Sequence, residues 1–175
     1  MKSRKSFVPK VSVVIPVCNV EAYLSKCLQS VVNQTLKDIE IICVNDGSTD
    51  GSLAILQSFA RKDRRIRIID KQNSGYGNSM NIGMASAKGE YIGIVESDDF
   101  IAKEMFEDLY KLSRRGTVDL IKGNFYDYYE EEDGTSRKVL NQERSMIPDS
   151  EEPFTLEQDA QISWGHPSVW SAIYR

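Results

Sequence analysis

Val11-Ser12-Val13-Val14-Ile15-Pro16-Val17-Cys18-Asn19 is the stretch from which the fold can be read. A strand with one wet face alternates apolar and polar side chains, whereas this run is nearly continuous Val and Ile up to Pro16, the pattern of a strand covered on both faces. It is therefore predicted to lie centrally in a parallel sheet. Downstream, from Glu21, the apolar positions Tyr23, Leu24, Cys27, Leu28, Val31 and Val32 recur at helical spacing and stop near Asn33 and Gln34. A strand from Ile39 to Val44 follows, then the turn Asn45-Asp46-Gly47-Ser48-Thr49-Asp50-Gly51, rich in N-cap residues, and a helix carrying Leu53, Leu56, Phe59 and Ala60. The alternation continues through a strand from Arg65 to Ile69, a polar loop from Asp70 to Asn78, and a short helix to Ala87. A strand from Tyr91 to Val95, a helix with Met105, Phe106, Leu109 and Leu112, and a strand from Asp119 to Phe125 complete it.

Strand and helix repeated in this order predict an α/β fold, a mainly parallel doubly wound sheet with helices on both faces and right-handed crossovers. Ligands of such sheets bind beyond the carboxyl ends of the strands. Here those ends carry Asn19, Asp46, the loop from Asn73 to Asn78, and the acidic cluster Glu96-Ser97-Asp98-Asp99, so topology alone gathers them on one edge.

Beyond Asp127 the pattern weakens. Tyr128-Tyr129-Glu130-Glu131-Glu132-Asp133-Gly134 reads as a strand entering a solvated acidic turn, Asn141 to Asp159 as irregular, and Ser168 to Arg175 as an aromatic-rich strand. The expected organisation is an N-terminal tail over 1–10, a core over 11–127, and a further region over 128–175.

Composition narrows the function. The 175 residues suffice for one core, and 41% hydrophobic with 27% charged residues describes a globular chain rather than a disordered one. A net charge of -4 supplies no field for nucleic acid, so no nucleic-acid partner is expected. No apolar run approaches the ~20 residues that span a bilayer, and the chain is expected in the cytoplasm. Cys18, Cys27 and Cys43 form no CxxC pair, and are read as small buried hydrophobes in a reducing compartment.

The three carboxylates of Glu96-Ser97-Asp98-Asp99 repel one another, an arrangement that a divalent cation neutralises; oxygen ligands favour magnesium or manganese over zinc. The alternative is a helix start with Asp98 or Asp99 as its N-cap. Asp46 is either a ligand contact or a turn former. Ser74-Gly75-Tyr76-Gly77-Asn78 brings backbone amides within reach of a phosphate or is an ordinary turn, and it fits neither GxGxxG nor a Walker lysine loop. His166 stands apart from these groups.

VSVVIPVCN (Val11 to Asn19), VNDGSTDGS (Val44 to Ser52) and NSGYGNSMNIGMASAKGEYIGIVESDD (Asn73 to Asp99) together resemble, in order and spacing, the family-2 glycosyltransferases of the type that builds bacterial surface glycans. The resemblance implies the GT-A nucleotide-diphosphosugar fold and transfer, with inversion, from a UDP- or GDP-sugar to a glycan or lipid-linked acceptor. It implies that Pro16, Val17 and Asn19 line the nucleoside pocket, that Asp46 holds the base or ribose, and that Asn73 lies in the loop closing over the nucleotide. Glu96-Ser97-Asp98 occupies the DxD position, with Glu96 facing the ribose or donor sugar, Asp98 as main ligand of Mn or Mg, and Asp99 supporting the metal. Cys18 stands where an aromatic is common, Met80 where arginine is frequent, and Glu96 where the first aspartate of DxD would be.

The family's base lies in a later acceptor region. The chain is expected to be truncated, with the base beyond Arg175, Glu157 and Asp159 as weak candidates within it, and any peripheral membrane association at the inner face carried by the missing part. Two other readings are a nucleotide-sugar-binding module without turnover and a magnesium-dependent receiver-like or phosphohydrolase-like protein. The latter needs an aspartate nucleophile where the first strand ends in Pro16-Val17-Cys18-Asn19.

Overall fold

The computed structural model describes residues 8–114, 116–131, 133–141, 153, 155 and 171–175. Strand β1 (Val11–Val17) is followed by α1 (Glu21–Val32), β2 (Ile39–Asp46), α2 (Ser52–Lys62), β3 (Ile66–Lys71), α3 (Tyr76–Ala85), β4 (Tyr91–Ile94) and α4 (Met105–Leu112). Then come β5 (Leu120–Lys122), a hairpin of β6 (Tyr126–Glu130) and β7 (Ser136–Leu140), and β8 (Ala172–Tyr174).

The main sheet runs β3-β2-β1-β4-β8-β5, with β1 flanked by β2 and β4, both parallel to it. Every residue of β1 is buried, as its unbroken apolar run requires. Val11, Val13, Ile15 and Val17 face a large core shared with Leu24, Leu28 and Val31 of α1, Leu56 of α2 and Phe106 of α4. Val14 points to the opposite face, where it packs with Ile94 of β4 and Met80 of α3. Helices thus cover both faces, as the alternation predicts.

β2 runs on past Val44 to Asp46, and three further differences from the sequence reading bear on the site and the sheet. β3 runs on to Lys71, because Asp70 and Lys71 continue the ladder with Asn45 and Asp46. The expected strand from Asp119 to Phe125 is cut to Leu120–Lys122, and the chain turns instead into the two-stranded β6–β7 sheet. β8, from the segment assigned to the region after 127, inserts antiparallel between β4 and β5 and so belongs to the core sheet.

Candidate active site

The loops after β1, β2, β3 and β4 meet at the carboxyl edge of the parallel strands. After β1, Asn19 adopts φ 53°, a left-handed conformation that Asn tolerates better than most residues. Its Oδ1 accepts the Thr49 N–H at 2.8 Å, and its own N–H donates to Ser48 Oγ at 3.1 Å. The next two N–H groups, of Val20 and Glu21, donate to Ser52 Oγ and Asp50 Oδ2, both at 3.0 Å. The start of α1 is therefore capped by the turn after β2, and Asn19 braces two loops rather than lining the cleft they border.

Asp46 closes β2 and is only 3% exposed. Its Oδ1 accepts the Ser74 N–H at 2.8 Å and takes the ammonium of Lys71. The Lys71 hydrogen bond holds the Asp46 carboxyl below the usual carboxylate range, against the upward push of burial. Next to it Gly47 turns at φ 65°, and a Cβ there would meet Asn73 N at 2.7 Å. That close approach lets Asn73 Nδ2 donate to the Asp46 carbonyl at 3.1 Å. Asn73 is thereby tied to the end of β2, and the loop after β3 is drawn over it.

Beyond β4, the Glu96 carbonyl accepts the Asp99 N–H at 3.1 Å and the Cys27 thiol at 3.4 Å, which fixes the acidic turn against α1. Downstream, Ser30 Oγ accepts the Ile101 N–H at 3.1 Å, and buried Gln34 donates to the Ala102 carbonyl at 2.7 Å while accepting the Phe106 N–H at 3.1 Å. Helix α4 starts only at Met105, with Glu104 at its N-cap position, so neither Asp98 nor Asp99 serves as a cap. Glu96 is half-buried; burial pushes its carboxyl above the ordinary value, the hydrogen bond from Tyr76 opposes this, and the charges of Asp98 and Asp99 add to it. Burial, and then the Asp98 charge, raise Asp99 likewise.

Pro16, Val17, Asp46, Asn73, Glu96, Ser97 and Asp98 line one cleft of about 310 Å³, together with Cys18, Tyr76 and Ser79. Asp99 and Asn19 are exposed and are not among the residues that line it. A wider and shallower depression of about 440 Å³ lies over Asn45, Gly47, Asp70 and Gln72, and holds none of the 96–99 carboxylates. Cys18, expected in the core with the other cysteines, is exposed on the cleft, whereas Cys27 and Cys43 are buried. Two contributors escaped the sequence reading. Lys71 lies past Ile69, where the apolar pattern of β3 stops, and Tyr76, between two glycines that mimic a loop, is the first residue of α3. Glu157, Asp159 and His166 lie outside the described residues.

Among the described residues, no group of three or more His, Cys, Asp or Glu converges on a metal position. Asp98 is exposed and has no hydrogen-bond or ion-pair partner among them. A single free carboxylate of this kind fits a hard divalent cation only where ligand oxygens and water complete its shell.

The model for "Glycosyl transferase family 2" matches residues 12–171. The chain belongs to this family. It is 34% identical over 169 residues to an uncharacterized glycosyltransferase, EpsJ, of Bacillus subtilis, covering 96% of this chain and 48% of that protein. Over 123 residues it is 44% identical to the glycosyltransferase GlyA of Streptococcus pneumoniae, covering 70% of this chain and 18% of that one. The crystal structure of Staphylococcus aureus TarS 1-349 in complex with UDP-GlcNAc superposes with a TM-score of 0.74 at 28% identity, over 95% of this chain and 45% of that one. This chain of family 2 thus spans about half, or less, of the length of these relatives, and its mainly parallel sheet is that of the GT-A glycosyltransferases.

Proposed function

We propose that the cleft between Asp46 and Asp98 binds a nucleotide diphosphosugar, UDP- or GDP-linked, and that the protein passes the sugar to a glycan or lipid-linked acceptor with inversion. One observation carries this reading: Asp46 at the end of β2, Asn73 after β3, and Glu96 and Asp98 after β4 line a single cleft beyond the carboxyl ends of parallel strands. The likeness to a UDP-GlcNAc complex supports the same ligand class.

Asp46, kept ionised by Lys71, accepts hydrogen bonds from the base or ribose. Pro16 and Val17 supply the apolar floor of the nucleoside pocket, Asn73 closes it from the loop, and Asn19 holds its rim. Glu96 and Ser97 offer oxygens to sugar hydroxyls at the middle of the cleft. Asp98, supported by Asp99, would hold magnesium or manganese, which on the diphosphate neutralises the charge developing on the leaving group. The acceptor hydroxyl loses its proton to a base, its oxygen bonds to the anomeric carbon, and the bond from that carbon to the diphosphate oxygen breaks, releasing the nucleoside diphosphate. Among the described residues no helix is long and apolar enough to cross a membrane. Three free thiols support a reducing, cytoplasmic setting, at the inner membrane face where the acceptor is lipid-linked.

Calorimetric titration with UDP-GlcNAc and GDP-mannose, with and without manganese, tests the reading. Saturable binding that strengthens with manganese is expected; no binding of either donor under any condition overturns it.

A further inference from the structure

The Tyr76 hydroxyl donates to Glu96 Oε1 at 2.6 Å, linking the first turn of α3 to the acidic turn after β4, both of which line the cleft. Tyr76 is half exposed, at 50%, and its ring forms part of the cleft wall. Its placement is fixed from behind: Gly75 turns at φ 89°, and the Gly75 carbonyl accepts the Ser79 N–H at 3.1 Å, which anchors the first turn of the helix. The main chain of Glu96 is also fixed, through the bonds its carbonyl accepts from Asp99 and Cys27. Between these two fixed points, Tyr76 is the one hydrogen-bond partner of the Glu96 carboxylate among the described residues.

We infer that Tyr76 is a positioning residue that holds Glu96 in the rotamer in which its second oxygen, Oε2, accepts a ligand hydroxyl. This rests on the proposed donor reading and goes beyond it. Glutamate has one more rotatable bond than aspartate, so an unrestrained side chain at this place in the acidic turn loses more freedom when it grips a ligand. The phenol removes that loss beforehand, because it binds Oε1 and leaves Oε2 free, and a side chain already in its bound geometry binds more tightly. The ligand group concerned is a ring hydroxyl of the ribose or of the donor sugar, since a carboxylate oxygen accepts and does not donate.

The test compares the full chain with Tyr76→Phe, Glu96→Ala and the double variant. The probes are UDP, 2′,3′-dideoxy-UDP and UDP-GlcNAc in manganese, with melting temperatures taken alongside. Tyr76→Phe keeps the ring and removes only the hydroxyl. It is expected to weaken the hydroxyl-bearing ligand that Glu96 grips by up to roughly 10-fold, the scale of ordering one flexible side chain on binding. In the Glu96→Ala background the same change should have no further effect. A loss seen with UDP but not with the dideoxy analogue assigns the hydroxyl to the ribose; a loss seen only with UDP-GlcNAc assigns it to the sugar. Equal losses for all three ligands, additive losses in the double variant, or no loss at all overturn the inference while leaving the donor reading intact. Failure of the unmodified chain to bind any of the three removes both.

Discussion

Lys71 of β3 stands directly across the parallel ladder from Asp46 of β2, and its ammonium lies on the Asp46 carboxylate. Both side chains are largely shielded, with 14% and 4% of their surface accessible, so the carboxylate depends on this cation rather than on water. The pair also joins the site to the sheet, since the same Asp46 oxygen receives the Ser74 N–H of the loop that borders the cleft.

Removing the cation should therefore be costly. Lys71→Met leaves a buried carboxylate unpaired and is expected to destabilise the fold by about 3 kcal/mol. The Asp46 carboxyl is held below its ordinary value, so its contribution is fully present above the unfolded carboxylate pKa of about 3.9 and is lost as pH falls through the lower folded value. Melting temperatures of wild type and variant should lie furthest apart near neutrality and converge below about pH 4. A gap that widens in acid would contradict this account of the pair.

Helix α3 rests on the sheet through Gly83, where a Cβ would fall 2.4 Å from Val14 Cγ1 and 3.3 Å from Val44 Cγ2. Both valines belong to buried strands, so neither can withdraw without shifting the sheet. Gly83→Ala gains ~1 kcal/mol of helix propensity but overpacks this contact, and a net loss of about 1 to 2 kcal/mol is expected in denaturant melts.

The contrast between what was readable in the sequence and what was not follows the range of the interactions. β1 was legible to its boundaries because burial on both faces leaves its mark in every residue from Val11 to Val17. The convergence of Asp46 and Asp98 on one cleft was legible because strand order alone puts strand ends on one edge. β8 was not legible as an inserted antiparallel strand, because its partners, Leu120 to Lys122 and Ile92 to Gly93, are remote in sequence and its three residues carry no sign of direction. Lys71 escaped for a related reason: alternation stops marking a strand once polar residues such as Asp70 and Lys71 extend the ladder. Tyr76 looked like loop because glycines flank it, yet Gly75 is the turn before α3 and Gly77 lies within the helix.

Asp46→Ala tests the nucleoside end of the cleft. The contact is remote from the phosphates, so affinity for the free nucleoside and for its diphosphate should fall by a similar factor in calorimetric titrations. Normal affinity with only a lowered melting temperature would assign Asp46 to the turn alone.

Asp98→Asn tests the other end. Asp98 is exposed and has no partner among the described residues, so the melting temperature should stay within about a degree of wild type. Binding of a nucleoside diphosphate in manganese should weaken by on the order of 1 to 3 kcal/mol, while binding in chelator should be unaffected. Equal affinity in manganese would remove Asp98 from the metal site.

The account turns on where the donor binds, and amide chemical shifts of the isotope-labelled chain titrated with UDP-GlcNAc in magnesium report that residue by residue. The largest changes are predicted at Val17, Asp46, Asn73, Gly75, Tyr76 and Glu96 to Asp98, residues that line the cleft. Saturable changes confined to the β6–β7 hairpin or to the surface of α2, with these amides unmoved, would contradict it.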